Sequence, residues 1–154
     1  MLNVVQINKP GGTLTLAGTI RAGGTATWTY TAGTLNAGTS TVIFGIPFDG
    51  LTITGSHTLY NVTFNSEDTR GNSGACNGTQ WRACITAGDT LTVAGTLNLV
   101  EGSVNSGTLA AQGPLVINST WDGGGAALHL TGSANQVYAD AGGPEHDLTI
   151  NKSG

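Results

Sequence analysis

At 154 residues the chain is long enough for one domain with a packed core. Only 9% of its residues are charged, against roughly a quarter in ordinary globular proteins, and the net charge is -4. Five Lys and Arg form no basic patch, which argues against a nucleic-acid binder that tracks phosphates, and no run reaches the ~18 apolar residues of a membrane-spanning helix.

In chain order, apolar and polar residues alternate over 13–16, 25–31, 51–54, 60–64, 90–93, 96–99, 128–130 and 148–150. A period of two with many Thr, Val and Ile predicts strands with one buried face. Gly-containing breaks between them supply turns. Glu, Lys, Gln and Arg are too scarce to build an amphipathic helix surface. The chain therefore reads as all-β. Leu14, Leu16, Leu51, Ile53, Leu91, Val93, Leu128, Leu130 and Ile150 are expected to point inward, with the intervening Thr residues outward.

Self-similarity decides between architectures. Thr13-Leu14-Thr15-Leu16-Ala17-Gly18-Thr19 returns as Thr90-Leu91-Thr92-Val93-Ala94-Gly95-Thr96. Leu51-Thr52-Ile53-Thr54-Gly55-Ser56 returns as Leu128-His129-Leu130-Thr131-Gly132-Ser133, and Gly33-Thr34-Leu35 as Gly107-Thr108-Leu109. The order is the same in both halves, so the sequence predicts repeat copies at 1–65 and 85–154 around an insert at 66–84. A β-solenoid of stacked short strands fits this pattern, with an antiparallel β-sandwich as the alternative. One phrase also opens, divides and closes the chain: Val5-Gln6-Ile7-Asn8-Lys9, Val62-Thr63-Phe64-Asn65 and Leu148-Thr149-Ile150-Asn151-Lys152.

Within the insert, Cys76 and Cys84 are the chain's two cysteines, with no His at ligand spacing. They read as a local disulfide and imply an oxidising compartment. Met1-Leu2-Asn3 shows no signal-peptide n-region. Segment 66–72 is acidic enough to consider for Ca²⁺ but lacks a recognised ligand spacing, and a solvated loop is expected. Sequons fall at Asn61, Asn77 and Asn118, of which only Asn77 in the insert is a candidate for occupancy.

The sequence carries little that points to catalysis. Asp49 and Asp122, each before a Gly, are expected to form turns rather than an acid pair for glycoside cleavage. His57, His129 and His146 lie in no metal or triad context, so no catalytic group, metal or cofactor is expected. Trp81 and Trp121 fall between strands, where they either pack or stack on sugar rings of a surface glycan. Thr13/Thr15, Thr25/Thr27/Thr29, Thr52/Thr54 and Thr90/Thr92 form Thr-x-Thr ladders that raise ice binding as a second reading.

The phrases LTINKSG, TLTLAGT, DTLTVAGTLNL and GSHTLYNVTFN resemble repeats of large bacterial cell-surface proteins of the β-solenoid type, Thr/Gly/Asn-rich and adhesin-like or filament-like. The likeness covers most of 1–65 and 85–154 and leaves out 66–84. It implies an extracellular structural or adhesive role and brings no catalytic residues. With no charge to defend them, Val4, Val5, Gln6, Ile7 and Asn8 at one end and Leu148, Thr149, Ile150 and Asn151 at the other are expected to be open strand edges. The expected partner is then self, either as a head-to-tail polymer or as neighbouring repeats of a longer chain. No nucleic acid and no membrane insertion are expected.

Overall fold

A computed structural model describes residues 1–45, 50–66, 76, 82–144 and 147–153, without the Thr25 side chain. Its strands are β1 (Leu2–Thr15), β2 (Thr19–Asn36), β3 (Thr41–Gly45), β4 (Leu51–Thr54), β5 (His57–Leu59), β6 (Asn61–Asn65), β7 (Ala83–Ile85) and β8 (Thr90–Val93), followed by β9 (Leu97–Asn105), β10 (Thr108–Ala111), β11 (Leu115–Ile117), β12 (Trp121–Gly123), β13 (Ala127–Leu130), β14 (Tyr138–Asp140) and β15 (Leu148–Ile150). No helix occurs among the described residues, and so none is long and apolar enough to cross a membrane.

The chain winds into a β-solenoid of about six turns. The strand pairings among the described residues are parallel, which excludes the antiparallel sandwich. Each turn lays one short strand on each of three faces. Face one stacks the start of β2, then β3, β6, the start of β9, β11 and β14. Face two stacks the first half of β1, the middle of β2, β4, β7, the end of β9 and β12. Face three carries the ends of β1 and β2, followed by β5, β8, β10, β13 and β15.

Parallel in-register stacking places like residues above one another about 4.8 Å apart. Inward columns result: Val42, Val62, Leu97 and Leu115 form one, and Phe44, Phe64, Leu99 and Ile117 another. All of these side chains are buried. The Phe44 and Phe64 rings stack with centroids 5.2 Å apart. Face three contributes Leu91, Leu109 and Leu128, and beside them Val93, Ala111 and Leu130. The corners require glycine at specific points. Gly55 turns from face two to face three at φ +86°, a conformation that glycine adopts at no steric cost, and a Cβ there would collide with the Tyr30 carbonyl of the previous turn.

Of the expected core residues, Leu51, Ile53, Leu91, Val93, Leu128 and Leu130 are buried. Leu14 and Leu16, at the first turn, are partly buried against the core. Leu148, stacked on Leu128, is partly buried as well. Ile150 departs from expectation at 68% exposure. It stacks on Leu130 in the correct register, but β15 is the last rung of its ladder and pairs on one side only.

The structural unit is one turn. Val42 pairs with Val62 and Leu97 with Leu115, intervals of 20 and 18 residues, whereas Val62 pairs with Leu97, 35 residues on. That long interval holds segment 66–84, whose last residues, Ala83 and Cys84, already belong to β7. Residues 13–15 and 90–92 share face three, three turns apart. Residues 51–54 lie on face two and 128–130 on face three. The three copies of the opening phrase lie on three different faces: 5–7 on face two, 62–64 on face one and 148–150 on face three. The phrase therefore encodes an inward–outward alternation and not a fixed place in the turn.

Candidate functional site

Among the described residues the two end rungs carry strands that pair on one side only. Among the described residues β1 pairs only with β2, β14 only with β11, and β15 only with β13. Each leaves one row of backbone donors and acceptors unpaired, which templates the addition of another strand. The large apolar side chains found exposed are Met1, Leu2 and Val4 on the first rung and Val137, Tyr138 and Ile150 on the last. Both ends thus combine open edges with uncovered apolar surface.

Of the expected edge residues, 4–8 fall in β1 and 148–150 in β15, with differing exposure. Val4, Gln6 and Asn8 are exposed, Val5 is half-buried and Ile7 points into the core. At the far end Leu148 is half-buried, while Thr149, Ile150 and Asn151 are exposed. The backbone parity of β15 sharpens the edge. The Asn151 N–H donates to the Leu130 carbonyl at 2.9 Å. Because bonding direction alternates along a parallel strand, Thr149 shares that direction, and Leu148 and Ile150 turn their N–H and C=O groups to the open side.

The ends also differ in charge. Lys9 and Arg21, both exposed, are the charged side chains of residues 1–48, which contain no acid. The last rung carries the exposed Asp140 and Asp147, which line an open cleft with Tyr138, Pro144 and Leu148. The Tyr138 hydroxyl donates to Asp140 Oδ2 at 2.7 Å, and the Gly142 N–H donates to Oδ1 at 2.9 Å. Desolvation, aided by the neighbouring Asp140 carboxylate, pushes the Tyr138 phenol up to about 12. Lys152 donates to the Ala134 carbonyl at 2.7 Å and to Gln136 of its own turn.

One polar cluster lies inside the stack. His57 occupies the inward column that Leu91, Leu109, Leu128 and Leu148 continue. Its Nε2 accepts from Trp28 Nε1–H at 3.0 Å, and its Nδ1 donates to the Gly55 carbonyl at 2.6 Å. The ring lies against Tyr30, with centroids 5.3 Å apart. This pairing fixes the neutral ring with its proton on Nδ1, because a second proton on Nε2 would face the indole N–H. Burial lowers the His57 pKa, partly opposed by its bond to Gly55 and by the Asp89 carboxylate. From the sequence His57 lies in no metal or triad context, and the structure makes it a buried, hydrogen-bonded core residue. The signal missed in the sequence is a Trp on one inward column one turn away from a His on the next.

The remaining candidates resolve individually. Cys76 and Cys84 are joined in a disulfide with Cα atoms 5.8 Å apart, as expected. Trp121, weighed as a sugar-stacking residue, is instead 4% exposed and packs against Phe64, so its ring is not offered to a glycan. Trp81, Asp49, Asn77, His146 and the acids of 66–72 lie outside the described residues. Asp122 belongs to β12. Asn61 accepts from the Thr96 N–H at 2.9 Å and Asn118 donates to Asn98 at 3.1 Å, so both sequon amides serve rung-to-rung bonding. Among the described residues no group of three or more His, Cys, Asp or Glu side chains is placed to hold a metal.

Outward threonines fall into rows. On face two Thr27 pairs with Thr52 and Thr29 with Thr54, whose hydroxyl lies 2.9 Å from that of Thr86. On face three Thr13 pairs with Thr34, Thr90 with Thr108 and Thr58 with Thr92. No protein-family model, curated protein or solved structure matches this chain.

Proposed function

We propose that this chain is a non-enzymatic structural or adhesive element of an extracellular fibre or surface protein, in which each end of the solenoid stacks on further rungs. Those rungs come from another copy or from neighbouring repeats of a longer polypeptide. The observation that carries the reading is the confinement, among the described residues, of exposed large apolar side chains to the two end rungs, beside unpaired strand edges. An independent soluble solenoid usually blocks such ends with polar caps. The disulfide supports an oxidising, extracellular setting. The resemblance of the repeat phrases to bacterial surface solenoids points the same way.

The test acts on the open edge of β15. Ile150→Pro removes a donor on the open side and leaves the Asn151–Leu130 bond in place. A proline at Thr149 strikes the internal ladder instead and is the poorer choice. Wild-type protein is expected to form elongated particles in negative-stain images and to sediment faster as concentration rises. The proline variant should remain small with an unchanged β-sheet spectrum. Particles of equal length from both proteins would overturn end stacking.

A second reading, ordering of water or ice on the threonine rows, is favoured by the register that sets Thr27 over Thr52 and Thr29 over Thr54 and Thr86. The rows are short. Cys84 follows Thr52 in one, and Asn36 and Ala110 enter those of face three. Thermal hysteresis in a freezing assay, abolished by Thr54→Tyr, would establish this reading, and its absence would remove it.

A further inference from the structure

We infer that the partner at each end is a second copy of this chain, docked head to tail and in phase, with Lys9 of one copy set over Asp147 of the next. The inference rests on end stacking and adds the identity, direction and register of the partner.

Direction follows from the ladders. The pairings within the stack are parallel. Continuing them across a junction requires the first rung of one copy to meet the last rung of another. Two first rungs meeting would reverse the strand direction and bring Lys9 against Lys9. Such a heterologous contact does not close on itself, and it propagates as a filament.

Register follows from the corners. Lys9 pairs with Gly33, one position before the Thr13–Thr34 pair of face three, and its side chain reaches across the bulge at 10–12 to Gly12, next to Thr13. Asp147 immediately precedes β15, which continues face three. Lys9 and Asp147 therefore mark one corner of the coil at its two extremes. In-phase stacking at the ordinary rung spacing of about 4.8 Å brings ammonium and carboxylate within reach of each other.

Charge supports the choice of a second copy. The first rung carries Lys9 and no acid, whereas the last rung carries the exposed Asp140 and Asp147 beside Lys152. Lys152 is itself engaged by Ala134 and Gln136 of its own turn. The chain thus has a basic head and an acidic tail, complementary to each other and repulsive to their own kind. At the low ionic strength where charges act beyond about 10 Å, this asymmetry also orients the encounter.

The experiment compares wild type, Lys9→Glu and Asp147→Lys by sedimentation velocity at low and high salt. Unchanged melting temperatures serve as the control for folding, since both residues are exposed. Wild type should associate, and salt should weaken it. Each variant alone should associate on the order of tenfold more weakly, because an attractive surface pair becomes a repulsive one. An equimolar mixture of the two variants should recover association. The two substituted side chains then meet with opposite charge at one junction, and the native pair re-forms at the next. A mixture no better than its components, or single variants that associate like wild type, would overturn the Lys9–Asp147 register while Ile150→Pro still judges end stacking. Wild type that stays monomeric at every concentration would overturn the second copy as partner. End stacking would then survive only if a tandem duplicate of residues 1–154 melts above the single chain.

Discussion

Strands β8 and β15 belong to the same face and the same inward columns, with β10 and β13 between them, and they carry the same alternation. Leu91 and Val93 in β8 are sealed, while their counterparts in β15 are a half-buried Leu148 and an Ile150 that is 68% exposed. The side-chain chemistry and the orientation are alike, and what differs is the rung on the far side. Burial in a stack of this kind belongs to the neighbours of a strand and not to its own sequence, because each turn contacts only the turns before and after it. The same rule makes interior turns a scaffold and end turns a binding surface.

The strongest way to sharpen that contrast is truncation in the interior rung. Leu91→Ala removes a fully buried side chain whose column neighbours on both sides, His57 and Leu109, are fixed by ladder bonds. The surroundings cannot collapse into the gap without shifting two rungs, so the loss should be about 2–5 kcal/mol in a urea titration. A loss under roughly 0.5 kcal/mol, the range of an ordinary surface change, would mean that Leu91 is not covered on both sides in solution.

The alternation that makes Leu91 a core residue was legible in the sequence, and so was the solenoid class, because period two, Gly breaks and recurring phrases all act locally. The close cysteine pair was legible for the same reason. Phase was not. A phrase such as Val62-Thr63-Phe64 fits any of the three faces, since each face asks only for an inward apolar residue at every second position. The 51–54 and 128–130 match therefore joined two different faces. Strand ends hidden in long runs, such as the corner-turning β2, were likewise invisible as separate segments. Trp121 read as a loop residue because short β12 lacks a full alternation, yet its partner Gly102 draws it into the ladder and its ring into the core. The Trp28–His57 bond depends on two columns meeting across adjacent turns, and no spacing in the sequence reports which columns meet.

Burial of His57 gives the interior a pH dependence just below neutrality. The folded His57 pKa lies below the ordinary value of 6.5, held down first by burial. Above pH 6.5 both folded and unfolded chains keep the ring neutral, and its contribution is constant. As pH falls through 6.5 the unfolded chain takes up a proton that the folded chain refuses, so stability declines until the lower folded pKa is reached. Urea midpoints should therefore fall as pH drops from about 7 toward about 5, by less than the Leu91→Ala effect. His57→Gln keeps an acceptor for the Trp28 N–H and cannot titrate in this range, so it should flatten the decline. An unaltered slope in that variant would assign the pH dependence to other groups.

The smallest expected effect falls at the other pole of the comparison. Ile150 matches Val93 and Leu130 in column and direction, but most of its surface is already in water, so Ile150→Ala returns little apolar area to solvent. In a dilute sample the change in stability should stay within about 0.5 kcal/mol, as for an ordinary surface substitution. At concentrations where particles elongate, the same substitution should weaken association, because Ile150 then stands where an interior residue would. The two regimes must differ if the end rung is an unfinished interior. A loss at high dilution comparable to that of Leu91→Ala would show that Ile150 is covered within the single chain, and the distinction between interior and end would fail at that rung.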